Sequence, residues 1–302
     1  MPRAERVGTF AIVLHHQRPE AADLARATAQ WFREHGHDVV LPAADAAAAG
    51  LDELALPDDT LPPDLEAVVS LGGDGTMLGA GRLLAPYKVP LIGINHGRLG
   101  FITDIPLQDA TSALARVIEG DFEVEDRILL EGRVVRGDKV MFSGLALNDV
   151  VINRAGRGGM IELHIELDGS FMYNQRADGL IVSTPTGSTA YALSANGPIL
   201  HPQLNAIVLV PVAPQTLSNR PIVIPDSGLL SMTITALGRV ESGASVHFDM
   251  QSWSDCQPGD RIDVRRANDT LQFVHPAGYS FFSTLRRKLH WNRMPLLTDD
   301  TE

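Results

Sequence analysis

Residues 66–79 read EAVVSLGGDGTMLG. The apolar run Glu66 to Leu71 has the length and β-branched content of a buried strand, and Met77 to Leu84 (MLGAGRLL) has helical spacing. A glycine-rich turn from strand to helix brings backbone N–H groups to a helix N-terminus, where phosphate binds. Asp74 stands in the middle of that turn, and a carboxylate repels phosphate. A Walker loop requires Gly-Lys, and the chain contains no Gly-Lys pair. A dinucleotide loop requires G-x-G-x-x-G, and Gly73, Gly75 and Gly79 miss it by one residue. The reading left is that the glycines approach phosphate while Asp74 faces a hydroxyl or a metal ion, where a carboxylate takes a proton or holds Mg²⁺. A plain Asp-Gly turn without chemistry is the alternative.

Around this stretch, strand and helix signals alternate. Val7 to Leu14, His37 to Leu41 and Val89 to Asn95 read as strands. Pro19 to His35, stopped by Gly36, and Leu107 to Glu119 read as helices. Such alternation predicts an α/β domain with a parallel, Rossmann-like sheet. GGDGT and NHGRLGF (95–101) both follow strands, which places them at the carboxyl edge where such sheets bind ligands. AADAAAAG (43–50), with LPDDTLPP after it, is low in complexity and reads as a long mobile loop.

From about Arg127 the period changes to two. RILLEGRVVR, MIELHIEL, LLSMTITAL, ASVHFDM and RIDVRR predict a β-rich domain of packed sheets, with a hairpin at Asp168-Gly169. SFFSTLRRKLHW (280–291) returns to helical spacing, with Phe281, Phe282, Leu285 and Leu289 as core positions. The expected division is 1–125 α/β, 126–279 β-rich, and 280–302 as a helix and tail returning to the first domain.

Composition narrows the class. With 302 residues, two domains are expected. A net charge of −12 lacks a basic footprint for nucleic acid. Apolar runs are too short for a membrane span, and one cysteine, Cys256, gives no disulfide framework. A cytoplasmic protein without membrane or nucleic-acid partners is the expectation.

Two further clusters carry chemistry. DGLIVSTPTGSTAY (178–191) crowds small hydroxyls and Gly187 around Pro185, and Tyr191 offers a ring on which a base can stack. The same residues also suit a helix cap. Asn148-Asp149 inside LALNDVVIN is a polar pair in an apolar strand, which needs partners: local backbone, each other, or the paired hydroxyls of a ribose.

GGDGT (72–76), NHGRLGF (95–101), NDVVI (148–152), DGLIVSTPTGSTAY (178–191) and HPAGYSFFSTLRRKLHW (275–291) follow one another in an order and spacing that resemble bacterial NAD kinases. GGDG alone is shared with lipid, sphingosine and phosphofructokinase-like enzymes; NDVVI and TPTGSTAY select the family. The resemblance implies an active site between the two domains and transfer of phosphate from ATP to NAD⁺, with a divalent metal, Mg²⁺ first. It implies Asp74 as the base on the adenosine-ribose 2′-hydroxyl and Gly75 beside the phosphates. It implies NAD contacts at Asn148, Asp149, Arg176, Asp178, Thr186, Gly187, Ser188, Thr189, Ala190, Tyr191, Ala213 and Gln251, and a homo-oligomer. Arg176 and Asp178, two apart in a strand-like run, are expected on one face, with the arginine fork on Asp178 or a ligand oxygen. Gly158-Gly159 stand where some family members have a histidine. A lipid or sugar kinase, and a dinucleotide-binding sensor without catalysis, are the competing functions; the first lacks an apolar helix for membrane approach, and the second has no use for Asp74.

Overall fold

The computed structural model describes residues 8–15, 19–57, 60–62, 64–97, 100–155, 159–237 and 243–291. The chain forms two compact units. The first comprises Met1–Met77, Pro90–Glu125 and Phe273–Glu302; the second comprises Leu78–Val89 and Asp126–Gln272.

In chain order the elements up to Glu119 are β1 (Thr9–Leu14), α1 (Pro19–Glu34), β2 (Asp38–Val40), α2 (Ala43–Ala49), β3 (Leu65–Gly72), α3 (Asp74–Leu84), β4 (Leu91–Asn95), β5 (Ile105–Pro106) and α4 (Ala110–Glu119). The sheet runs β2-β1-β3-β4, every pairing parallel. Its strands are mostly apolar and buried, as in a parallel sheet covered by helices. Phe10, Ile12, Val69, Leu71, Ile92 and Ile94 meet Phe32 of α1, Ala46 of α2 and Leu114 of α4 in one core. Each such buried large side chain contributes about 1.5–3 kcal/mol.

The segment 43–50 is a correction: Ala43–Ala49 is a helix, not a mobile loop. Alanine has the highest helix propensity, and low complexity hid that signal. Gly50 closes the helix in the left-handed region at φ 67°, its N–H donating to Ala46 and Ala47. Asp45 is buried and accepts the Leu14 N–H at 3.1 Å, which pins α2 to the end of β1.

The chain continues through β6 (Phe122–Arg136), β7 (Lys139–Ala146), β8 (Asp149–Ala155), β9 (Ile161–Leu167), β10 (Ser170–Ala177), β11 (Gly179–Ser183), α5 (Tyr191–Ser194), β12 (Ala206–Val212), β13 (Ile222–Pro225), β14 (Leu230–Leu237), β15 (Gly243–Phe248), β16 (Ser252–Cys256), β17 (Arg261–Pro276) and α6 (Phe281–Leu289). The second unit holds two antiparallel layers. One runs β13-β12-β11-β8-β15-β16; the other includes β10-β9-β14 and the start of β17. Val150, Ile152, Val182 and Phe248 of the first layer pack with Leu163, Ile165, Met232 and Ile262 of the second. The β9–β10 hairpin turns on Asp168 (φ 51°) and Gly169 (φ 74°), both in the left-handed region that a two-residue turn requires.

The first unit resumes at Phe273, ahead of the helix at 280, because Phe273 and Val274 of β17 add to β4 in parallel. On α6, Leu285 is buried as expected, but Phe282 is 50% exposed and Leu289 lies at the rim. No described helix is long and apolar enough to cross a membrane.

Candidate active site

The first unit carries a carboxylate held in a collar of donors. β3 ends at Gly72 and α3 begins at Asp74, so the carboxylate sits in the helix's first turn, where the dipole favours negative charge. Asp74 Oδ2 accepts the Phe101 N–H at 2.8 Å. Oδ1 accepts the Thr103 hydroxyl at 2.8 Å and the N–H groups of Thr103 and Ile102 at 3.1 and 3.3 Å. Of the carboxylate's about four lone-pair directions, two on each oxygen, Oδ1 is crowded by three donors while Oδ2 meets one among the described residues. The collar comes from the segment after β4, so both turns lie at the carboxyl edge of one sheet.

Asn95, at the end of β4, is buried, and its Nδ2 donates to the Thr103 hydroxyl oxygen at 2.7 Å. The directions agree: the threonine proton goes to Asp74, so its oxygen accepts from the asparagine. Gly100 admits the carboxylate at close range; a Cβ there would lie 1.7 Å from Asp74 Oδ1. Gly75 is exposed in the first turn of α3. Arg98 and Leu99 of the quoted NHGRLGF stretch, and Gly158, lie outside the described residues.

The second unit carries a polar centre around Asn148 and Asp149. Asp149 is 2% exposed, and burial, followed by the neighbouring Asp249 charge, pushes its carboxyl from the ordinary 3.8 up to about 7. Asp249 is itself a clamp. Its oxygens accept the N–H groups of Asn148 at 2.7 Å, Leu147 at 3.0 Å and Asp149 at 3.2 Å. Arg82 of α3 completes it, with Nη1 2.6 Å from Asp249 Oδ2 and Nη2 donating to Gln251 Oε1 at 2.5 Å. Asp249 and Met250 hold φ of 51° and 55°, and Ala213 holds 44°. Non-glycine residues in that region cost energy and gather where a site demands a set geometry.

The TPTGST turn is built onto the same place. Thr184 donates to Leu147 O at 2.6 Å and accepts the Gly187 N–H. Ser183 and the Thr184 N–H both reach Asn148 O. Ser188 donates to Pro185 O and accepts the Leu200 N–H. Gly187 has no alternative, since a Cβ there would lie 2.2 Å from Asn148 O. The hydroxyls of Thr184 and Ser188 thus shape the turn, while Thr189, Ala190 and Tyr191 remain partly exposed at its end. Buried Arg127 donates to the Thr186 hydroxyl at 3.1 Å.

One expectation changes. Arg176 is exposed on β10 and pairs with Glu162 of β9 at 3.5 Å, whereas Asp178 pairs with Arg154 at 2.8 Å. Asp178 lies just past the strand, so the alternation that put both on one face does not reach it. Arg82, Asp249 and Arg127 were missed. The signals were present: Arg82 lies two turns along the helix that GGDGT opens, and Asp249 is two residues before Gln251. Among the described residues no cluster of three or more His, Cys, Asp or Glu side chains could hold a metal. Asp249 accepts two protein donors at each oxygen, whereas Asp74 accepts three at Oδ1 and one at Oδ2. A cation here fits as a companion of bound phosphates, the usual mode for Mg²⁺.

A glycine-flanked carboxylate at the carboxyl edge of a parallel sheet lies where such sheets bind ligands. Relatives define the class as a kinase acting on NAD. The ATP-NAD kinase N-terminal domain family matches residues 10–122, and the ATP-NAD kinase C-terminal domain family matches residues 147–276. An NAD kinase from Bordetella parapertussis is 68% identical over 277 residues, 91% of this chain and 93% of the relative. One from Paraburkholderia phytofirmans is 53% identical over 295 residues, 97% of each. A crystal structure of yeast NADH kinase complexed with NADH superposes with a TM-score of 0.86 at 25% identity, covering 97% of this chain and 90% of that one. An Archaeoglobus fulgidus NAD kinase in complex with ATP shares the fold, with a TM-score of 0.68 at 24% identity over 93% of this chain and 97% of that one. The chain belongs to the NAD kinase family.

Proposed function

We propose that the protein transfers the terminal phosphoryl group of ATP to the 2′-hydroxyl of the adenosine ribose of NAD⁺, giving NADP⁺ and ADP, with Asp74 as general base. The observation that carries this reading is the Asp74 carboxylate, oriented by four donors at the first turn of α3. A hydroxyl donates to a carboxylate as an N–H does. The substrate hydroxyl therefore donates to Oδ2, which meets one protein donor, and Asp74 takes its proton as the oxygen attacks phosphorus.

Asn148 and Asp149 bind the nucleotide, with ionised Asp149 accepting from ribose hydroxyls. Tyr191 stacks on a ring of NAD⁺, and Thr186 to Ala190 line the same ligand. Asp178, Arg176, Ala213 and Gln251 are its further contacts, and Gly75 lies along the phosphates. Mg²⁺, carried by ATP, neutralises charge on the transferring group. The protein is cytoplasmic and assembles as a homo-oligomer on this reading.

The four donors on the carboxylate favour a second reading of Asp74 as a structural residue, which kinetics of its variant separate below. The test of the activity itself is purified protein with ATP, Mg²⁺ and NAD⁺, NADP⁺ being followed by an NADP-specific dehydrogenase. Folded protein that forms no NADP⁺ contradicts the proposal.

A further inference from the structure

The collar on Asp74 is a loop, and a loop needs an anchor to hold a carboxylate within a fraction of an ångström. Thr103 is tied to β4 through Asn95. The next residue, Asp104, is tied to the sheet by a histidine. His275 stands on β17 directly after Val274, whose parallel pairing with Ile92 sets its place beside β4. It is 2% exposed. Nδ1 lies 2.8 Å from Asp104 Oδ2, and Nε2 lies 3.2 Å from Glu125 Oε2. The Tyr279 ring stacks on it at 3.8 Å between centroids, 8° from parallel. Each ring nitrogen thus lies within hydrogen-bond distance of a carboxylate. Asp104 and Glu125 are nearly buried too, so the three side chains form a hydrogen-bonded triad shielded from water.

We propose that His275 is a positioning residue for the phosphoryl transfer: by fixing Asp104 it fixes Ile102 and Thr103, and through them the direction of the Asp74 carboxylate. The inference rests on Asp74 acting as the base. A run of bonds leads from the sheet to the reacting atom: His275 to Asp104, the Asp104–Thr103 backbone, Thr103 to Asp74. Loosening its first link leaves the substrate-binding residues of the second unit untouched. It degrades the aim of the base, and a displacement of about 1 Å costs on the order of 10²-fold in rate.

The two ring nitrogens can be separated by amide variants. His275→Asn places an amide where Nδ1 was and keeps the Asp104 bond. His275→Gln places one where Nε2 was and keeps the Glu125 bond. The proposal predicts that His275→Gln lowers kcat roughly tenfold or more, with KM for ATP and NAD⁺ within about twofold, while His275→Asn keeps kcat within about threefold. Melting temperatures of the two variants are measured alongside. If both lose activity alike, or kcat follows the melting temperature alone, His275 is structural and the proposal falls. Should either variant fail to fold, Asp104→Ala removes the acceptor for Nδ1 and with it the tie to the sheet. It is expected to lower kcat roughly tenfold at constant KM, and an unchanged kcat overturns the proposal. Asp74→Asn is assayed in the same series. If it stays active, the role of Asp74 fails and takes this inference with it; if it is inactive while the His275 variants behave alike, this inference alone fails.

Discussion

Gly100 and Asp74 are in such close approach that a Cβ on Gly100 would stand 1.7 Å from Asp74 Oδ1 and 2.3 Å from the Thr103 hydroxyl oxygen. Neither atom can yield cheaply, because four donors fix the carboxylate and Asn95 fixes the threonine. Gly100→Ala therefore displaces the collar from the base. Its kcat is expected to fall about 10²-fold, and more than any loss of stability from the buried neighbours Ile102 and Thr103 accounts for. Steady-state rates with a thermal melt check this, and a kcat near the parent value refutes it.

Arg82 and Asp249 form the matching clamp in the second unit. The Asp249 side chain is fully buried and that of Arg82 is 19% exposed. Arg82→Ala leaves a buried carboxylate held only by backbone N–H groups. Removing one partner of such a pair costs about 3–5 kcal/mol. The three remaining donors place the expected loss at the low end, about 3 kcal/mol, accompanied by a raised KM for nucleotide. Urea unfolding measures the first and kinetics the second. A loss below about 0.5 kcal/mol, the range of ordinary surface substitutions, refutes the clamp.

Asp149 predicts a pH dependence. Burial raises its folded pKa from 3.8 to about 7, so the folded protein holds this proton more tightly than the unfolded chain. The stability that protonation contributes is complete below 3.8 and is lost as pH rises through about 7. A ligand whose hydroxyls donate to the ionised carboxylate pulls the pKa back down. NAD⁺ binding is then expected to release a proton and to tighten from about pH 6 to about pH 8. Calorimetry in buffers of different ionisation enthalpy reads the proton directly. A dissociation constant that weakens across that range shows that Asp149 acts as a neutral donor.

The parallel sheet and its carboxyl-edge turns were legible because period and punctuation are local: EAVVSL, then glycines, then a helical run. The β-rich unit and its hairpin at Asp168-Gly169 were legible for the same reason. Asn148-Asp149 stood out as a polar pair in an apolar strand. What stayed hidden depends on contacts far apart in the chain. Arg82 meets Asp249 across 167 residues, and His275 meets Asp104 across 171. The left-handed backbone at Asp249, Met250 and Ala213 leaves no mark in residue type. The Ser188 hydroxyl, expected among the ligand contacts, donates within the turn to Pro185 O, and the neighbouring Thr184 hydroxyl donates to Leu147 O.

The central claim is that Asp74 takes the proton from the attacking hydroxyl. Asp74→Asn keeps the size, and one oxygen still accepts from the collar, but the amide cannot take a proton. The direct measurement is steady-state kinetics of Asp74→Asn across a Mg²⁺ series, with NAD⁺ affinity taken separately by calorimetry. The account predicts a kcat lower by roughly 10²–10⁴-fold, NAD⁺ affinity close to the parent, and no rescue by excess Mg²⁺. A kcat within about tenfold of the parent, below the usual share of a general base, would contradict it and leave Asp74 a residue of the turn.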